Sequence, residues 1–95
     1  MKKIYTDNPY TLRLDTNEDL SAVTEPKLIY RKEDGTVDEV SGSVSGTKIV
    51  AEVSGAVNDE AGIWTWKSSC IFSGDTNPTT GRAVTLKVLE DWARV

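Results

Sequence analysis

Ninety-five residues with fifteen acids, eleven bases and a net charge of −4 fill one domain and leave no length for a second. A hydrophobic share of 38% and a charged share of 27% exclude a disordered polyelectrolyte and supply a modest core. With no histidine and a single cysteine, Cys70, neither the usual zinc constellations nor an intramolecular disulfide can form.

The start, Met1-Lys2-Lys3, has the charge of a signal peptide, but Ile4 is soon followed by polar Thr6-Asp7-Asn8. The apolar stretch of a signal is missing and nothing approaches a membrane span, so a cytoplasm-like compartment and no membrane partner are expected. Tyr10, Leu12 and Leu14 then alternate with Thr11, Arg13 and Asp15, the period of a strand with one buried face. Asp15-Thr16-Asn17-Glu18-Asp19 breaks it, and Leu20, Ala22 and Val23 make a short apolar return closed by Glu25-Pro26. Lys27 to Lys32, with Leu28, Ile29 and Tyr30, predicts a second strand. Asp34-Gly35 inside Glu33-Asp34-Gly35-Thr36 is a hairpin signal, because both residues tolerate positive φ.

The next strand, Val37 to Val44, is the weakest, with Val40 and Val44 as its apolar points, and Ser45-Gly46 turns the chain again. Thr47 to Val53 places Ile49, Ala51 and Val53 on one side. Asn58 to Gly62 has room for one helical turn. Gly62 to Phe72 is the strongest element, with Trp64, Trp66, Cys70 and Phe72 on one face and Ser68 between them. Ser73 to Thr80 is polar and predicts a loop or hairpin tip. Arg82 to Leu89 closes the pattern with Val84, Leu86 and Val88 inward, and Glu90 to Val95 has room for a short helical turn. Short strands separated by frequent turn signals predict an all-β sandwich or barrel spanning residues 1–95 as one domain.

Chemistry-bearing patterns are sparse. Serines are plentiful, but no histidine stands by to act as base, and Gly42-Ser43-Val44-Ser45-Gly46 puts Val44 where a nucleophile elbow needs serine. Asp15-x-Asn17-x-Asp19 begins like a calcium loop and lacks its glycine and distal glutamate. Carboxylates at Asp15 and Asp19, or Asp38 and Glu39, read as solvated charge in turns and on exposed strand positions. Cys70 alternates with large apolar residues and reads as a small buried hydrophobe. No catalytic residue, cofactor or metal is therefore expected. Lys27, Arg31 and Lys32 read as a solvated strand edge, and no basic block stands apart, so nucleic acid is not an expected partner. Contact with protein partners is expected instead, with Tyr5, Val40, Val44 and Trp92 as its candidates, since aromatic anchors and open edges dominate such surfaces; capping the open ends of the sandwich is the alternative role for Trp92 and Tyr5.

Glu60-Ala61-Gly62-Ile63-Trp64-Thr65-Trp66 has the acid-x-Gly-x-aromatic spacing of a corner used by many immunoglobulin-like domains. Trp64 stands where tyrosine is usual there, and Trp66 where a disulfide-bonded domain would place cysteine. Together with Arg13 to Ser21, Tyr30 to Thr36 and Gly81 to Val88, this segment resembles a group of short tailed-bacteriophage proteins, similar to the N-terminal domain of phage baseplate upper proteins. Glu33 departs from the proline common in that group, and the Val37–Gly42 strand lacks its frequent tryptophan. The resemblance implies an immunoglobulin-like antiparallel β-sandwich of about seven strands and a non-enzymatic virion component, assembled in the bacterial host cytoplasm. Its expected partners are other virion proteins of the tail, baseplate, neck or fibres, met in copies repeated by particle symmetry. Two alternatives stay open: a capsid decoration protein of the same fold, and a carbohydrate-binding adhesion module using Trp92 or the loop at Asp75-Thr76-Asn77.

Overall fold

The structure is a computed structural model that describes residues 4–90. Among them are nine strands: β1 (Ile4–Tyr5), β2 (Tyr10–Asp15), β3 (Thr24–Arg31), β4 (Val37–Ser41), β5 (Ser43–Ser45), β6 (Lys48–Val53), β7 (Gly62–Ile71), β8 (Thr79–Thr80) and β9 (Val84–Leu89). One sheet runs β1-β9-β7-β3-β4, with β8 pairing the end of β7; the other runs β2-β6-β5. The all-β, two-layered expectation holds. Its antiparallel, seven-strand detail does not, because β1 runs parallel to β9, with Ile4 opposite Val88 and Tyr5 opposite Leu89.

The alternation legible in the sequence sets the layers. Leu12 and Leu14 of β2 face Ala51 and Ile49 across an antiparallel register. Leu28 and Tyr30 of β3 share the inner face of the other sheet with Trp66 and Trp64 of β7. Strand β3 starts at Thr24, earlier than expected, through an irregularity between Thr24 and Lys27 where Glu25 has φ 51°. The core closes around Trp64 and Trp66, whose rings stack 6.1 Å apart at 15°. Tyr30 leans on both at 5.2 and 5.0 Å, and Tyr10 meets Trp66 edge-on at 6.5 Å. Both indole side chains are fully buried, each worth about 2–3 kcal/mol in area removed from water. Leu20, from the short apolar return after β2, is also buried in this core.

The weak strand expected over Val37–Val44 belongs to both layers. Its first half, β4, pairs β3, and its second half, β5, pairs β6. Gly42 is the crossing point. Its N–H donates to the Pro26 carbonyl at 2.9 Å, and a Cβ there would stand 2.8 Å from Ile49 Cγ2 and 3.0 Å from the Val50 carbonyl. Only a residue without a side chain lets the strand pass between the sheets at this distance.

The helical turn expected over Asn58–Gly62 lies earlier. Val57 and Asn58 N–H groups both donate to the Ser54 carbonyl, at 3.1 and 3.0 Å, the Asp59 N–H donates to the Val57 carbonyl at 2.9 Å, and the chain then enters β7 at Gly62 with no helical turn. The turn sits where the backbone has carbonyls to spare after β6. The turn expected over Glu90–Val95 falls, beyond Glu90, outside the described residues.

Candidate functional site

Two regions carry polar or apolar groups beyond the needs of the core. The first is the corner where β6 passes to β7. Gly62 has φ 130°, a backbone geometry that side chains resist, and the Glu33 carboxylate lies where its Cβ would be. That turn aims Trp64 back under the preceding loop, where its indole N–H donates to the Glu60 carbonyl at 2.9 Å. Lys32 closes the corner from the neighbouring hairpin. Its ammonium bonds Asp59 Oδ1 at 2.7 Å and sits 5.3 Å from the Trp64 ring centre. The Asp59 bond holds the Lys32 pKa above the ordinary lysine value.

Asn58 ties the N-terminal strand to the same corner. It is fully buried, and its Nδ2 donates to the carbonyls of Tyr5 at 2.7 Å and Asn8 at 2.9 Å. Its own carbonyl accepts from the Asp7 N–H at 2.7 Å, while Oδ1 has no partner. Asp7 adopts φ 64° to make the turn that Asn58 holds. Sequence patterning passes over Asn58, because a polar residue between strands ordinarily marks a solvated loop.

The second region is the outer face of the larger sheet. Register places Ile29 and Arg31 of β3, Val37 and Glu39 of β4, Ile63, Thr65 and Lys67 of β7, and Thr85 and Lys87 of β9 on this side. Val37 is 62% exposed and Ile63 44%, large values for branched apolar residues on a sheet. Beside Val37 runs a groove of about 320 Å³, lined by Ile29, Arg31, Val37, Thr65 and Lys67 among others. Lys27 on this face is paired with Glu39 at 3.2 Å, which leaves Arg31, Lys67 and Lys87 with no ion pair among the described residues. The chain is acidic overall, but this face is basic.

The sequence-expected contact residues are dispersed by the fold. Tyr5 lies at the outer edge of the larger sheet, beside Leu89 of β9, and is half-buried. Val40 sits opposite Leu28 and packs against the core. Val44 sits opposite Ile49, on the short edge strand of the smaller sheet, and is 37% exposed. Trp92 lies outside the described residues. Val37 and Ile63, which the alternation did not single out, are more exposed than Tyr5, Val40 or Val44. Only assembly of the sheet brings them to one face.

The remaining polar patterns are spent locally. Asp15 Oδ1 accepts from the Asn17 N–H at 2.9 Å and the Thr47 hydroxyl at 2.8 Å, bonds that lower its pKa. Asp19 Oδ1 accepts from the Ser21 N–H at 3.0 Å and is lowered in the same way. Asp38 accepts from the Glu39 N–H at 2.8 Å. No group of three or more histidine, cysteine or acidic side chains placed to hold a metal occurs among the described residues. Cys70 is buried, and burial pushes its thiol pKa up, away from the thiolate. With Trp64 and Trp66 sealed in the core, neither ring is open to stack on a sugar. No protein-family model matches this chain, and no curated protein matches it.

Proposed function

We propose that this chain is a non-enzymatic structural module of a tailed-bacteriophage virion, an immunoglobulin-like sandwich that docks onto tail, baseplate, neck or fibre proteins. The observation that carries the fold in this reading is the Glu60–Trp66 corner. The Trp64 indole reaches back to the Glu60 carbonyl, as the tyrosine hydroxyl does at the corner of immunoglobulin-like domains. Trp66, two residues on, packs between Tyr30 of its own sheet and Tyr10 of the other, filling the space a disulfide would occupy. The strand orders support the same fold. A first strand running parallel to the last borders a sheet of β1-β9-β7-β3-β4, faced by β2-β6-β5.

A docking role also suits what the surface offers. A rigid sandwich presents a face that combines exposed apolar and basic side chains, and the carboxylates that resemble functional pairs are taken up in turns. Binding work needs only such a surface, while catalysis needs convergent groups with matched proton affinities. Fold and function are separate inferences, and the virion assignment rests on the family resemblance of the sequence.

Particles purified from infected cells and analysed by quantitative mass spectrometry test it. Copies in a small multiple of three or six per particle are expected for a tail or baseplate part. Hundreds of copies would assign the chain to capsid decoration, and absence from washed particles would refute a virion role.

A further inference from the structure

The geometry points to a head-to-side contact between copies of this chain, in which the acidic hairpin end of one molecule seats on the basic outer face of the larger sheet of the next. The inference does not depend on the virion assignment.

The acceptor face is built from four strands. Arg31 stands opposite exposed Val37 of the edge strand β4 and Lys87 opposite exposed Ile63 at the start of β7, with Lys67 beside half-buried Ile29 and with half-buried Thr65 beside Arg31. On the strand positions of the face only Glu39 opposes these bases, and it is taken by Lys27, while Glu33 and Glu90 line the pocket beside Lys87. In a chain of net charge −4, such a face selects an acidic protein surface, because like charges brought together cost more than opposite charges gain. The exposed Val37 and Ile63 on this face suit a protein contact better than a nucleic-acid backbone, which would leave them uncovered.

The chain itself carries a matching surface. At the end of the sandwich where β3 turns into β4 and β6 passes to β7, Glu33, Asp34, Asp59 and Glu60 gather, with Lys32 as the one base among them. The Asp34 N–H donates to Glu60 Oε2 at 3.3 Å, and Asp34 Oδ1 accepts from the Thr36 N–H at 2.8 Å. These bonds join the hairpin tip to the corner loop, so the acidic surface is ordered before any contact forms and loses little entropy on docking.

The two surfaces are an end of the sandwich and the flat side it adjoins, with Glu33 and Lys87 lining one pocket at the border. Contact between them is heterologous, so each docked copy still offers a free end or a free face, and the assembly grows until geometry closes it. A hairpin tip on a sheet face is a small interface, and its affinity falls at the weak end of the protein range. The assembly therefore responds steeply to concentration and salt.

Sedimentation equilibrium of the full chain tests this, over about 10 μM to about 1 mM, at an ionic strength of about 10 mM and again at about 1 M. The weight-average mass should rise with concentration at low salt and return to 10.4 kDa at high salt. R31E/K67E, which spoils the face, and D34K/E60K, which spoils the end, should each weaken self-association at least about tenfold. Mixed together, the two variants should associate again, since the sound end of one meets the sound face of the other and the two reversed surfaces now carry opposite charge. Circular dichroism of each variant establishes that it is folded. A wild type that stays monomeric throughout, an association unaffected by salt, or variants that fail to complement would each overturn the inference. Binding of a fluorescent oligonucleotide by monomeric wild type, abolished in R31E/K67E, would also overturn it and assign the face to nucleic acid.

Discussion

Replacing Asn58 tests how the N-terminal strand is held. In Asn58→Ala two buried hydrogen bonds to the Tyr5 and Asn8 carbonyls disappear, each worth about 1 kcal/mol net, and a small void adds to the cost. The unpartnered Oδ1 disappears too, which returns part of the loss. The expected destabilisation is about 2 kcal/mol, or a fall of about 2 M in the urea midpoint at a slope near 1 kcal/mol per M. Asn58→Asp keeps the shape but turns an acceptor toward two carbonyls and buries a charge, so it should cost about 4 kcal/mol at neutral pH. The folded-state pKa of that carboxyl would lie above its unfolded value. The extra cost is then absent below the unfolded pKa, about 3.9, and grows as pH rises through the folded value. Asn58→Asp should therefore approach Asn58→Ala in acid. Amide exchange gives the local readout. Protection at Thr6, whose N–H donates to the Leu89 carbonyl, and at Asp7, whose N–H donates to the Asn58 carbonyl, should fall before protection in β7. Asn58→Ala within about 0.5 kcal/mol of wild type, or Asn58→Asp equal to it at neutral pH, would refute the clamp.

The Tyr10 hydroxyl is buried without a partner, and burial pushes its pKa up to about 12 against the opposing pull of the Trp66 indole. Its neutral form favours the fold below the unfolded value of about 10, and that contribution is lost as pH climbs toward 12. Tyr10→Phe should be neutral or up to about 1 kcal/mol stabilising at pH 7 and should flatten the alkaline unfolding curve; a clear loss at neutral pH would reveal a partner for the hydroxyl. Lys32→Met keeps the stem on Trp64 and removes the Asp59 bond, for a loss of about 0.5–1.5 kcal/mol in denaturant melts that shrinks as pH rises through the raised lysine pKa. Cys70 should react with a thiol reagent only as fast as the sandwich opens, so its labelling rate in urea should follow unfolding; fast labelling of the native protein would show an accessible thiol.

Much of the layering was legible because a strand with one wet face writes its period into the sequence. Tyr10 to Asp15, Thr47 to Val53 and Gly62 to Phe72 fall within a residue of β2, β6 and β7. Strand β1 was not legible, since two residues contain no period and Ile4–Tyr5 is a strand only because β9 and Asn58 hold it. The crossing at Gly42 was hidden for another reason. Alternation reports which side a residue faces, and a strand that changes sheets keeps its alternation. The basic face was the least legible. Lys27 and Arg31 read as an edge, and Lys32 beside them turns away to Asp59, while Lys67 and Lys87 join only through cross-strand register.

The parallel pairing of β1 with β9 decides how the sandwich bears load. Tension that pulls Ile4 and Leu89 apart runs along both strands in opposite senses, so it slides one past the other rather than peeling them open. In that geometry the bonds between the strands resist together instead of failing in turn. Asn58 adds a transverse tether from outside the pair, through the Tyr5 carbonyl. A module strung between neighbours by its two ends would stay intact until this short seam slips, and the tryptophan core behind it would be strained only afterwards.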